Sequence, residues 1–171
     1  MPLDRKSTRL ALQNYIGKGA YFFTLCCARR RPFLADPTIA RGVLQILLDS
    51  ASSKSFAIHA CCLMPDHIHI LVEGTSVKSD ALEFLRLFKQ RTGFYFKKTT
   101  HKALWEFSYY DHILRNEDPI VEVARYIWWN PVRKKLCLQP SEFPFSGSQT
   151  FSWMQEARTA SHWCAPWNWP V

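Results

Sequence analysis

The segment FAIHACCLMPDHIHILVE, residues 56–73, constrains the fold more than any other stretch of the chain. Two runs rich in β-formers, residues 56–63 and 67–73, flank a Met64-Pro65-Asp66 step. Pro65 has no amide hydrogen to give to a ladder, so the step reads as a turn and the two runs as an antiparallel hairpin. Within the second run apolar residues alternate with histidines. Successive strand side chains point to opposite faces, so His67 and His69 share one face while Ile68, Ile70 and Val72 share the other. The imidazoles stand roughly 7 Å apart along the backbone, a span that two side chains can close onto one ion. The isoleucine face needs a cover, and helices have to supply it.

The remaining periodicities supply that cover. Residues 21–28 (YFFTLCCA) read as another strand, ended by Arg29-Arg30-Arg31-Pro32. Residues 38 to about 53 place Ile39, Val43, Ile46 and Leu47 at helical spacing, with Asp36 and Thr38 as candidate caps beside Pro37. Residues 78 to about 98 repeat Leu82, Leu85, Phe88 and Phe96, interleaved with Arg86, Lys89, Arg91, Lys97 and Lys98, which predicts a basic amphipathic helix. Residues 107–115 (FSYYDHILR) read as a fourth strand. A helix follows over residues 119–130, with Asn116 or Asp118 as its cap and Pro131 as its stop. This order predicts an α+β, ferredoxin-like sandwich: an antiparallel sheet with helices on one face and a further C-terminal helix.

Charge narrows the partners. The 171 residues include 22 Lys and Arg against 14 Asp and Glu, a formal charge of +8. The length allows one domain with a real core. Such a basic surface favours a polyanion, nucleic acid before an anionic membrane. No run approaches the roughly 18 apolar residues of a membrane span. The first residues lack the apolar core of a signal peptide, which predicts a cytoplasmic location. The vicinal pairs Cys26-Cys27 and Cys61-Cys62 lack Cys-x-x-Cys zinc spacing and read as reduced, buried thiols.

A second feature bears on the histidine pair, which alone is also what a half-exposed strand could carry. In RYIWWNPVRKK, residues 125–135, Tyr126 and Asn130 are four apart. On a helix that spacing puts them on one face, Cβ atoms about 5–6 Å apart. A phenol beside an amide oxygen suits a nucleophile beside a hard ligand. It equally suits a core tyrosine next to a C-capping asparagine.

Taken together these stretches resemble a known family. MPDHIHILVE is similar to the His-hydrophobic-His (HUH) motif of the single-tyrosine, single-strand DNA transposases of insertion sequences, and the spacing to Tyr126 is similar too. The chain more closely resembles the REP-associated tyrosine transposases, through LWEFSYYDHILRNE at 104–117, RYIWWNPV at 125–132, FKQR at 88–91 and FPFSGS at 143–148. The resemblance covers residues 21 to 148. It implies a catalytic domain over residues 19–148; outside it, residues 1–18 read by composition as a loose, basic lead-in and residues 149–171 as a Trp-rich tail. It implies Tyr126 as nucleophile, with Asn130 one turn away in the place where the insertion-sequence branch tends to have glutamine. His67, His69 and Asn130 would hold Mg²⁺ or Mn²⁺, and Mn²⁺ suits imidazole ligands well.

The same resemblance implies a hairpin in single-stranded DNA as partner, no membrane, a monomer whose tyrosine helix acts in its own chain, and a bacterial, nucleoid-associated setting. Candidate DNA contacts are Arg29, Arg30 and Arg31, then Arg86, Lys89 and Arg91 with Lys97 and Lys98, then Arg133, Lys134 and Lys135. Trp163, Trp167 and Trp169 either dock on the domain or stack on bases. Asp111 and His112 fall on opposite faces of the fourth strand, so at most one approaches the histidine pair. Glu73 and Glu106 read as surface residues. Two other functions fit the residues: a hairpin-binding protein that does not cleave, and a metal phosphodiesterase that passes its product to water.

Overall fold

A computed structural model describes residues 11–165. Its sheet has five antiparallel strands in the order β4-β1-β3-β2-β5. These are β1 Ala20–Cys26, β2 Phe56–Met64, β3 His67–Gly74, β4 Tyr110–Ile113 and β5 Ser146–Gly147. Helices α1 Pro37–Ser53 and α2 Ala81–Thr100 link them in the ferredoxin-like order. Then come α3 Ile120–Trp128, α4 Asn130–Arg133 and α5 Trp153–Glu156.

The hairpin forms as its alternation predicts, and β3 lies at the centre of the sheet. Ile68, Ile70 and Val72 are fully buried and pack with Val43 and Leu47 of α1 and Phe84, Phe88 and Phe96 of α2. On the opposite face Phe22, Cys62, Met64 and Leu71 pack against Val123, Ala124, Ile127 and Trp128 of α3. The sheet is therefore the middle layer of three, with the histidines on the α3 side. The helix starts are specific: the Asp36 carboxylate accepts from Thr38 N and Ile39 N at 2.7 and 3.2 Å, and Asp80 accepts from Glu83 N at 2.9 Å. Gly42 lets α1 approach α2, because a Cβ there would lie 2.3 Å from the Tyr95 ring.

Several local expectations are corrected. The fourth strand is only four residues long; residues 107–109 leave the sheet, and Phe107 is wholly exposed. Neither Asn116 nor Asp118 caps α3, whose N-cap is Pro119; Asp118 instead accepts from Arg115 N and meets His112. Pro131 does not stop the helical path. The break falls at Trp129, and Pro131 sits in the first turn of α4, where its missing amide hydrogen costs nothing. Asn130 is thus not the C-cap of α3. Residues 11–18, read as a loose lead-in, include Tyr15, which is 2% exposed, stacks on Tyr21 and hydrogen-bonds the Asp111 carboxylate. Among the described residues no helix is long and apolar enough to cross a membrane.

Candidate active site

Strand register sets the neighbours of the two histidines. Thr24 of β1 and Cys62 of β2 lie opposite His69, and Cys26 and Met64 lie opposite His67. Both imidazoles are almost fully buried. Thr24 Oγ1 lies 2.7 Å from His69 Nδ1, and Asp66 Oδ1 lies 2.6 Å from His67 Nδ1. Arg30 in turn holds Asp66, its Nε 3.3 Å from Oδ2. Each inner ring nitrogen therefore has a partner that orients the ring, the arrangement usual behind a ligating imidazole. The two Nε2 atoms are 3.2 Å apart.

Burial pushes both histidines below their ordinary pKa, His69 the further, with the neighbouring cations adding to the effect. The Asp66 carboxylate pulls His67 the other way and does not prevail. At neutral pH both rings are uncharged and carry lone pairs. The hydrogen bond from His67 also holds the Asp66 carboxyl below the usual range.

Asn130, 6% exposed, joins this cluster: its side-chain nitrogen meets His69 Nε2 within hydrogen-bonding distance. The Tyr126 ring lies one turn earlier, 6.5 Å from the His69 ring, between Phe22 at 6.2 Å and Trp163 at 5.1 Å. Arg133 lies over the ring, Cζ 4.2 Å from its centroid, and donates to the Tyr126 carbonyl at 2.7 Å. Burial pushes the phenol above its ordinary pKa, and the Arg133 charge works against that rise.

The predicted site residues thus divide. His67, His69, Tyr126 and Asn130 come together, with Arg133 beside them. Arg30 and Lys134 line a cavity of about 310 Å³ next to His67. Arg29, Arg31 and Lys135 point to solvent nearby in the chain. Arg86, Lys89 and Arg91 lie on α2, across the sheet from the histidines, and Arg86 is paired with Glu83. His112 faces the α3 side, held by Asp118 at 2.9 Å, while Asp111 points the other way to Tyr15. Glu73 pairs with His59, and Glu106 accepts from the Arg29 amide. Trp163 docks, and its indole donates to Asp118 at 3.1 Å; Trp167 and Trp169 lie outside the described residues.

Sequence reasoning missed Thr24, Asp66 and Trp163 as parts of this site. Asp66 adjoins His67 and was findable; Thr24 requires the β1–β3 register. All four strand cysteines are buried free thiols; Cys27 and Cys61 are pushed up to about 12 by burial, which leaves them unsuited to nucleophilic roles. Among the described residues no three His, Cys, Asp or Glu side chains converge as a ready metal site.

A family model described as "Transposase IS200 like" matches residues 16–130, from just ahead of β1 to Asn130. The chain belongs to the IS200-like transposase family. A curated relative, the REP-associated tyrosine transposase of Escherichia coli (strain K12), is 27% identical over 136 residues, covering 77% of this chain and 78% of its own. Among solved structures, a REP-associated tyrosine transposase bound to a REP hairpin superposes with a TM-score of 0.67 at 24% identity, over 82% of this chain and 81% of the other. That likeness confirms the fold: an α+β antiparallel sheet shared with a transposase. Transposase chemistry directs attention to the cluster formed by Tyr126, Asn130 and the histidine pair.

Proposed function

We propose that this transposase cleaves and rejoins single-stranded DNA beside a hairpin, with Tyr126 as the nucleophile and His67, His69 and Asn130 holding Mg²⁺ or Mn²⁺. One observation carries the reading. Tyr126 near the end of α3 and Asn130 at the start of α4, four residues apart across the Trp129 break, both come to the imidazole pair, where the Asn130 amide meets His69. The relative bound to a REP hairpin supports hairpin DNA as the partner. Packing of α3 on its own sheet supports a tyrosine that acts within its own chain.

The donor set fits a divalent ion. With both Nδ1 atoms engaged, two neutral imidazoles direct Nε2 lone pairs at each other across 3.2 Å. At that separation both nitrogens would be in reach of one divalent ion. An amide exposes an oxygen or an NH₂ group on rotation, so Asn130 can turn its oxygen to the same point. A cation held there neutralises charge on a non-bridging phosphate oxygen and orients the phosphorus.

The chain's own residues account for the rest. Tyr126 Oη attacks phosphorus in line and gives up its proton. The bond from phosphorus to the 3′ oxygen breaks, and that oxygen leaves as a hydroxyl after taking a proton. The 5′ phosphate stays on the tyrosine. A second 3′ hydroxyl then reverses the exchange, displacing the phenol and joining a new strand without water. Arg133 favours the ionised phenol, and Phe22 and Trp163 fix the ring's direction.

The test is incubation with labelled hairpin oligonucleotides and Mn²⁺ followed by a denaturing gel. Wild-type protein should give a DNA-linked band that Tyr126→Phe lacks. A band that persists in Tyr126→Phe removes the tyrosine from the mechanism. Tight hairpin binding that chelators do not alter, with no band, assigns the chain to non-cleaving binding instead.

A further inference from the structure

A cavity of about 620 Å³ lies away from the histidines, between α2 and residues 102–109 on the helical face of the sheet. Its floor is apolar and aromatic: Leu85, Leu104, Trp105 and Tyr109. Its rim is cationic: Arg86, Lys89, Lys97 and Lys102. The one acid on the lining, Glu106, has its carboxylate on the Arg29 backbone amide. The shape is held from within. Lys89 Nζ donates to the carbonyls of Glu106 and Phe107 at 3.0 and 2.9 Å, and the Trp105 indole donates to Thr92 at 2.8 Å. The result presents Phe107, 100% exposed, at the cavity's edge.

Gly93 gives a second, independent observation. It lies inside the 20-residue α2 and lines the cavity, yet a Cβ there would meet nothing within 4 Å. Packing does not require glycine at this position, and glycine weakens a helix interior. What its lack of a side chain preserves is open space in the groove.

The geometry points to this groove as a binding site for single-stranded DNA, taking an unstacked base on its aromatic floor with the flanking phosphates on the rim. Aromatic platforms bordered by cations are the general chemistry of sequence-tolerant single-strand binding. A route to the candidate active site exists along the sheet edge. Residues 104–106 run beside the end of β1, where Ala28 N donates to Leu104 O at 2.8 Å and Glu106 N to Cys26 O at 2.9 Å. Cys26 is the register partner of His67, and Arg30 reaches Asp66 at that same end. A strand leaving the histidine pair past Arg30 and Arg29 rounds this edge into the groove. The inference rests on single-stranded DNA as the substrate and extends the contact to the other face of the sheet.

The experiment uses full-length Tyr126→Phe protein, so that no adduct forms, and an unstructured DNA oligonucleotide of about 12 nucleotides carrying 2-aminopurine, long enough to fill one such groove. Binding should quench the fluorophore. Gly93→Phe, whose Cβ has open space, puts a ring into the groove, and Phe107→Ala removes the exposed ring at its edge. Each should weaken binding about tenfold, within the range that one stacked base contributes. Circular dichroism confirms that both variants fold. If both bind within twofold of the parent at equal ionic strength, or the parent shows no affinity, the groove is not a DNA site. Were the occupant a second copy of the chain, mass would rise with concentration, and Gly93→Phe would abolish that rise while leaving DNA affinity alone, which also overturns the assignment. Failure of the tyrosine reading shows in the gel assay with intact Tyr126; failure of the groove shows here.

Discussion

Replacing Arg133 with glutamine should slow adduct formation by making the Tyr126 phenol harder to ionise. The Arg133 guanidinium carbon lies 4.2 Å from the centre of the Tyr126 ring. Unit charges at about that distance interact by about 1 kcal/mol in water and about 4 kcal/mol at an effective dielectric constant near 20. Arg133 faces solvent, so the lower end applies, about 1–2 kcal/mol. Burial already holds the phenol above 10, and loss of the cation raises it further. Below both pKa values the ionised fraction then falls about tenfold, and so should the single-turnover rate at saturating DNA near pH 8. Below the phenol pKa the two rate profiles should rise in parallel with pH, the variant's about tenfold the lower. Arg133→Lys keeps a cation and should recover most of the rate. The assay is the rate of phosphotyrosine band formation with Mg²⁺ from pH 7 to about 10. A saturating-DNA rate that changes less than about twofold, or a loss that Arg133→Lys does not recover, would refute the reasoning, because it would place Arg133 on the DNA and not on the phenol.

Three further predictions concern the strand that carries the histidines. Ile68→Ala empties a fully buried position under α1 and α2 and should cost about 2–5 kcal/mol in urea unfolding, loosening the strand that carries both histidines; a cost below about 1 kcal/mol would mean that Ile68 does not anchor it. Because burial lowers the pKa of His67 and His69 in the folded state, the unfolded chain takes up protons first as pH drops below about 6.5. The stability that these rings contribute is complete above that pH and is lost as pH falls toward their folded values. Urea midpoints of metal-free protein should fall more steeply between about pH 7 and 5 than those of His67→Gln/His69→Gln protein, and equal slopes would refute the assignment. Mn²⁺ at pH 7 should raise the wild-type midpoint and leave that of the double variant unchanged.

The faces of β3 were legible because a two-residue period admits only one reading of HIHILV. The Asp36 cap was legible for a similar local reason. Pro131 misled because proline usually ends a helix, whereas here it opens the next turn. That difference has a chemical consequence: the path continues two turns past Tyr126 and returns Arg133 over its ring. Short β4 misled because residues 107–109 have strand-like composition, while Lys89 holds the carbonyl of Phe107 from α2. Thr24 behind His69, and Asp118 between His112 and Trp163, depend on strand register and long-range docking, which no local period encodes.

The C-terminal segment beyond the family resemblance explains how so short a nucleophile helix keeps its position. Nine-residue α3 has no side-chain N-cap, and helices of that length do not persist on propensity alone. Its inner face is buried on the sheet, and its outer side is clasped by residues 156–163. Arg125 bonds Glu156 at 2.7 Å, and the Trp129 indole donates to the Ala157 carbonyl at 2.9 Å. Ser161 donates to the Glu122 carbonyl at 2.7 Å, and Trp163 closes on Tyr126 while holding Asp118. An attacking oxygen gains rate from being held in line with its target, so a phenol on a helix fixed on both sides is worth more than one on a loose arm. The clasp and the α3 core contacts belong to the chain that carries the histidine pair, as the proposed in-chain action of Tyr126 requires.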